Sequence, residues 1–274
     1  MRFPVLGAAA LLAGLAAHAA IAQQAPAPRS AAEAAFLSGA TKDCPKCDLH
    51  DADLARRDLS GANLAGANLG NVSLVEANLE RANLSDAELN EADLSLANLR
   101  QANLKNAALH QATLYLSDLT LADMTDVYAH GVLMQRARMQ RVNLTRAFII
   151  DSDLREVRLA GATLAGANFG GTKFDGANLV DIDFRGVNLE VTDLINADLT
   201  GANLEGAILR QADLYGANLL EAKLKGTDFT EARLQAANVR GANLKDAIFK
   251  DTMLPNGEFH TGPLPEDAPG TPPM

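Results

Sequence analysis

Two cysteines stand three apart in the stretch Asp43-Cys44-Pro45-Lys46-Cys47, the only two in 274 residues. Three chemistries suit that spacing. An even pair in an oxidising compartment closes a disulfide, two free thiols can exchange disulfides, and two thiolates can begin a zinc site when two further ligands approach. His50 is close enough in sequence to be a third zinc ligand, and no fourth presents itself. Exchange chemistry lacks the βαβ setting that normally activates a C-x-x-C thiolate. A Cys44–Cys47 disulfide is therefore the first expectation, with exchange and zinc left open. Other chemistry-bearing residues are sparse. There is no Gly-rich phosphate loop, nucleophile elbow or His-rich metal motif, and no Trp. The many Asp residues recur with a regular pattern, so pairing two of them as acid and base explains nothing that the pattern does not. No catalytic residue, metal ligand set or cofactor is expected, and the chain is not expected to be an enzyme.

The elements that must carry these residues follow one rule. From Leu49 to Leu254 an apolar residue falls at every fifth position without insertion or deletion, and only Ala129 is not large. Two places before each stands a small or β-branched residue such as Ala62, Ala82, Val187 or Thr192, and between the two comes most often Asn or Asp. In a straight strand a spacing of five sends successive side chains to opposite faces, and in an α-helix it scatters them around the axis. The pattern makes sense if the chain turns a corner once per pentapeptide, so that every central residue points at a common axis. Asn, Asp and Gly suit such corners. On this register Leu199→Asp should abolish cooperative folding and Thr200→Asp, which points outward, should be nearly silent.

The units A(N/D)L followed by two variable positions, as in Gly201–Leu204, resemble the pentapeptide-repeat family over about three quarters of the chain. The resemblance implies an all-β solenoid, a right-handed quadrilateral β-helix with four pentapeptides per coil. Stacked about 4.8 Å apart, roughly ten coils would make a rod about 50 Å long. It also implies a comparison with the family's cytoplasmic quinolone-resistance proteins, acidic dimeric rods that mimic DNA and bind gyrase.

Residues 1–22 have the form of a secretory signal, with Arg2, an apolar run from Val5 to Ala17 and Ala20-Ile21-Ala22 before Gln23. The run is too short to cross a bilayer comfortably, and no integral membrane segment is expected. The formal charge of −10 becomes −11 once Arg2 is removed. Such acidity argues against nucleic acid as a ligand. Export to a periplasmic or extracellular compartment would also take the chain away from gyrase. Residues 23–43 are expected to hold a flexible leader and a short cap helix, Ala31 to Ser38, opened by the capping box Ser30/Glu33 and stopped at Gly39. The β-helix is expected over 44–254, followed over 255–274 by a closing turn and a Pro/Gly-rich tail.

With twenty residues to a coil, positions twenty apart stack, and the middle of the rod departs from the polar rule. Tyr128 falls between Ala108 and Phe148. His110, His130 and Ile150 form a second outward column, and Leu96 stacks with Leu116 beside Tyr115 and Leu133. Leu96, Tyr115, Leu116, Tyr128, Leu133, Phe148 and Ile150 are thus a candidate surface for a protein partner or a second copy of the chain. His110 and His130 are expected to be a solvated pair. Arg136, Arg138, Arg155 and Arg158 form a basic belt on two adjoining sides, suited to an acidic partner or lipid headgroup, or else to ion pairs with Asp151, Asp153 and Glu156. Arg57, in a small-residue slot of the first coil, is expected to reach water. The gap above Ala129 is expected to be filled by Met124, Met134 and Met139, or to bend or bulge the coil. The expected function is that of a non-catalytic exported interaction or structural scaffold. The alternatives are a DNA-mimicking gyrase ligand or a thiol-disulfide exchange protein using Cys44 and Cys47.

Overall fold

In a computed structural model of the protein, residues 29–262 are described; the signal expected over residues 1–22 and most of the expected leader and tail lie outside them. Parallel bridges join the residue between the two inward slots to the one twenty places on in nearly every repeat, from Asp48↔Asn68 to Arg233↔Met253. The coil is therefore twenty residues, four pentapeptides. The central N–H donates to the coil above, as Leu49 does to the Asn68 carbonyl at 2.8 Å, and Asn68 donates back to the Cys47 carbonyl at 2.9 Å.

Most corners are four-residue turns. The central carbonyl accepts from the N–H three places on, as Leu59 does from Ala62 at 3.0 Å, and the residue two places after the centre has positive φ. The small-residue slot and the central slot then face inward together, and both are buried along almost the whole rod. Each buried Leu or Phe contributes on the order of 1.5–3 kcal/mol. Phe229 and Phe249, one coil apart, stack with ring centroids 5.5 Å apart. Where Ser or Thr fills a small slot, its hydroxyl donates to a backbone carbonyl, as Ser117 does to Leu114 at 2.8 Å and Thr192 to Leu189 at 2.7 Å. No buried hydroxyl of this kind is left wanting, which is what burial demands.

Asn and Asp between the two inward slots act twice. Asn103 Oδ1 accepts from the Lys105 N–H at 3.1 Å, closing the corner, and its amide donates to Asn83 Oδ1 of the coil below at 3.0 Å. The same rung-to-rung amide bonds recur at Asn98 on Asn78, Asn188 on Asn168 and Asn238 on Asn218. These are ladders on the outside of the rod, parallel to the Leu ladders within.

Helix α1, Ala31–Leu37, has Ser30 at its N-cap with a complete capping box: the Glu33 N–H donates to Ser30 Oγ and the Ser30 N–H to Glu33 Oε2. Gly39, at φ +81°, turns the chain away after it. Phe36 is fully buried in the same core as the first coils. Arg57 does not simply reach water. It donates to the Phe36 carbonyl at 2.8 Å, which also accepts from the Gly39 N–H at 3.0 Å and uses its second lone pair for the guanidinium. Strands β1, Tyr128–His130, and β2, Phe148–Ile150, pair in parallel with Ala129 opposite Ile149. The register therefore runs unbroken past Ala129, without a bulge, and Met124, Met134 and Met139 are all fully buried. At the far end β3, Thr252–Met253, pairs antiparallel with β4, Phe259–His260, a hairpin that closes the last coil. Among the described residues no helix is long and apolar enough to cross a membrane.

Candidate functional site

Cys44 and Cys47 are joined, with Cα atoms 5.4 Å apart. Both occupy the inner side of the first coil and are nearly inaccessible, 1% and 6% exposed. Sulfurs bonded to one another are not thiolate ligands, and no group of His, Cys, Asp and Glu fit to hold a metal occurs among the described residues. Thiol exchange needs an attacking sulfur to reach one of the pair, and the wall of the coil stands in the way.

The middle of the rod brings most of the expected apolar residues to the surface on two adjoining sides. Leu96, Tyr115, Leu116, Tyr128, Leu133 and Phe148 are exposed, Tyr128 most at 57%, while Ile150 is only half-buried at the corner. Tyr128 and Phe148 stand one rung apart with ring centroids 6.0 Å apart, and Leu133 lies on the neighbouring side between Thr113 and Asp153. Leu96, Leu116 and Leu121 occupy positive-φ corner positions. The corners next to the aromatic pair are built differently from the rest. The Val132 N–H donates to Ser152 Oγ at 3.2 Å, Ser152 Oγ donates to the Ile150 carbonyl at 2.8 Å, and Thr172 Oγ1 donates to the Ile149 carbonyl at 2.8 Å. Side-chain hydroxyls thus serve backbone groups that turn bonds serve elsewhere, and the chain stays extended through β1 and β2.

His110 and His130 are exposed one rung apart, with ring centroids 6.5 Å apart and the rings tilted by 54°. The His130 N–H donates to His110 Nδ1 at 3.3 Å, and His130 Nε2 lies 3.4 Å from Asp151 Oδ2.

The basic belt divides. Arg136 pairs with Glu156 through two hydrogen bonds of 2.9 and 3.1 Å, and Arg155 pairs with Asp153 in the same fork-to-fork manner. The hydrogen bonds Arg136 donates to Glu156 hold its pKa above the ordinary value, with the Tyr115 phenol adding to the effect. Burial works to raise the Asp153 pKa, but hydrogen bonds led by Arg155 outweigh it and hold the carboxyl below the usual range. Asp151 serves His130 rather than the belt, contrary to the sequence expectation. Arg138 reaches Asp118 only at 3.8 Å and shares it with Arg100, and Arg158, stacked directly above Arg138, makes no ion pair among the described residues. An acidic group arriving here would meet Arg138 and Arg158 alone.

Two features escaped the sequence reasoning. Leu121, Val191, Tyr215, Ile248 and Phe259 are also exposed. A cleft of about 330 Å³ opens above the aromatic pair, lined by Phe148, Ile150, Asp151, Asn168, Gly170, Gly171, Asn188, Glu190 and Val191. Its signal in the sequence is the doublet Gly170-Gly171, which leaves two adjoining corner positions bare.

The family model for pentapeptide repeats matches in eight copies, over segments from 47–86 to 227–260. No curated protein matches the chain. Among solved structures, the chain is similar to HetL, a pentapeptide repeat protein involved in heterocyst differentiation regulation from the cyanobacterium Nostoc sp. strain PCC 7120. That match has 27% identity and a TM-score of 0.38, and covers 85% of this chain and 100% of HetL. It is also similar to QnrB1, a plasmid-mediated fluoroquinolone resistance protein, at 16% identity and a TM-score of 0.44 over 75% of this chain and 92% of that one. A third is alr5209, a pentapeptide repeat protein from Nostoc PCC 7120, at 36% identity over 36% of this chain and 81% of that one, with a TM-score of 0.31. With the repeat matched over most of its length, the chain belongs to the pentapeptide-repeat family, whose members fold as right-handed quadrilateral β-helices.

Proposed function

We propose that this protein is a non-catalytic scaffold that binds a protein partner through the middle of its rod. One observation carries the proposal: Tyr128 and Phe148 stack on the outside, where an acidic solenoid ordinarily places Asn and Asp, with Leu133 exposed on the adjoining side. Exposed aromatic groups gathered in one place are the usual anchors of a protein interface. Helix α1 acts as a lid on the first coil, where an open solenoid would otherwise present unpaired backbone. The proposal includes export, on the strength of residues 1–22. That address and the arginines interrupting the acidic surface weigh against the gyrase alternative, and the inaccessible disulfide weighs against thiol exchange.

The test is capture from the exported fraction with immobilised protein, compared with the triple variant Tyr128→Ser, Leu133→Ser, Phe148→Ser. All three side chains point outward, so the variant should fold. A partner retained by the native rod and lost by the variant supports the proposal, and identical partners for both overturn it.

A further inference from the structure

Every glycine among the described residues lies at positive φ, where other side chains are strained, except Gly70 and Gly170. Both stand one place before the positive-φ corner, where every other member of this column carries a side chain, from His50 and Asn90 through His110, His130, Ile150 and Glu190 to Arg210, Thr230 and Lys250. The backbone does not require glycine there, so what each supplies is the lack of a side chain. At Gly70 the imidazole of His50 fills the place a Cβ would take, 2.7 Å from Nδ1, and the cleft beside it, about 480 Å³ and lined by His50, Asn68, Asn71, Glu88, Asn90 and Glu91, has no aliphatic or aromatic wall. At Gly170 that place is open, and the nearest atom a Cβ would meet is Asn168 Oδ1 at 3.4 Å.

The opening is bounded by Ile150 one coil below and Glu190 one coil above, about 10 Å apart. That leaves room for one inserted chain of methylene groups, about 4 Å across. Its walls are Phe148, Ile150 and Val191, and its ionisable rim is Asp151 and Glu190, with no Lys or Arg in the lining. Asp151 leans into the space above Gly171 and has the exposed His130 as its one ionic contact. Glu190 makes no ion pair among the described residues, and the nearby Arg210 is taken by Asp228 at 2.6 Å. Val191 is the single β-branched residue held at positive φ among the described residues, at +60° and half exposed. An aliphatic group is thus kept at the rim against the preference of its own backbone.

An anionic group would be repelled here, and a purely apolar one would strip water from two carboxylates without replacing it. A cation on an aliphatic stem satisfies both the walls and the rim. We propose that the notch at Gly170 receives one arginine or lysine side chain from a basic segment of the protein partner. The stem packs on Phe148, Ile150 and Val191, and the charged head lies between Asp151 and Glu190. This inference rests on the partner-binding role proposed above and gives that partner its chemistry.

The experiment is a nuclear magnetic resonance titration of the labelled protein with acetyl-Gly-Leu-Arg-Leu-Gly-amide and with the same peptide carrying norleucine for arginine. The Gly170 and Gly171 amide signals should shift saturably with the arginine peptide and about fivefold more weakly with norleucine. Gly170→Leu, whose Cβ meets only ordinary contacts, should remove the response. Asp151→Asn with Glu190→Gln should leave the two peptides equivalent. Equal response to both peptides in the native protein, or an unchanged response in Gly170→Leu, overturns the inference. In the capture experiment, a partner lost by the triple variant but kept by Gly170→Leu overturns the notch alone. A partner kept by both overturns the surface as well.

Discussion

Arg57 lays its guanidinium over the ring of Phe36, 4.7 Å from the centroid, while donating to the carbonyl of the same residue. A seven-residue helix is too short to persist alone, so α1 owes its existence to contacts of this kind. The arginine also places positive charge at the C-terminal end of the helix, where the dipole favours it. Arg57→Ala is expected to weaken docking of the helix by about 1–2 kcal/mol. Hydrogen exchange should show the amides of Ser38 to Ala40 losing protection while the coils from Leu69 onward keep theirs.

Leu199 is fully buried, and Leu199→Asp should abolish the cooperative thermal transition, because an unpaired carboxylate on the axis has no partner. Thr200 is a poorer silent control than the sequence suggests. Its hydroxyl bonds Asp198 at 2.6 Å and receives the Asn218 amide at 2.7 Å, so Thr200→Asp sets one carboxylate against another and should cost about 1–2 kcal/mol. Ala160, exposed at a corner, is the better control, and Ala160→Asp should change stability by less than about 0.5 kcal/mol. Melting curves of the three variants check the order.

The disulfide closes a loop of only four residues, so the chain-entropy account gives it about 2 kcal/mol, and Cys44→Ala with Cys47→Ala should lower stability by that amount without changing the fold. Because both sulfurs are shielded, mass measurement should find no alkylation after mild reduction of the native protein and full alkylation after reduction in denaturant.

Several carboxyls have pKa values lowered in the folded chain: Asp126 by hydrogen bonding from Arg146, Glu156 by Arg136, Asp183 by Arg185 and Glu33 by the Asp48 and Ser30 backbone. A lowered folded pKa gives stability that is complete above the unfolded value and lost as pH falls through the folded one. Melting temperature should therefore hold level from pH 8 to 5 and fall below about pH 4. Asp175 has the opposite sign, because burial, with Asp193 and Asp153 nearby, raises its pKa and outweighs Arg155. Its charge costs stability at neutral pH, so Asp175→Asn should raise the melting temperature at pH 7 and make no difference at about pH 3, where both states are protonated.

The period of five located the core at Leu49, Leu199 and Phe249 because burial imposes a repeat that chemistry on the surface does not disturb. The exposed aromatic pair was legible for the same reason, since Tyr128 and Phe148 occupy an outward slot. The partners of the surface charges were not. Whether Arg155 turns back to Asp153 in its own repeat, or Arg136 rises one coil to Glu156, is decided by rotamers on a rod where both carboxylates are within reach. Arg57 went astray because its partner, a helix-end carbonyl, is a backbone group with no sequence signature. The notch was missed because it consists of what Gly170 lacks, and an omission becomes visible only when the residues twenty before and twenty after are set beside it.

The two periods of this fold have unequal consequences for descent. The interior repeats every five residues and the exterior every twenty, so loss or duplication of a single pentapeptide would keep every aliphatic group inside while turning all later outward residues a quarter of the way round the rod. Tyr128 and Phe148 would part from Glu190 and Val191 while the aliphatic core stayed whole, at the cost only of the rung-to-rung bonds that span the altered repeat. Change by whole coils preserves such a surface, and change by quarter coils reshuffles it, so this architecture can acquire new exteriors from old interiors by slippage of fifteen nucleotides.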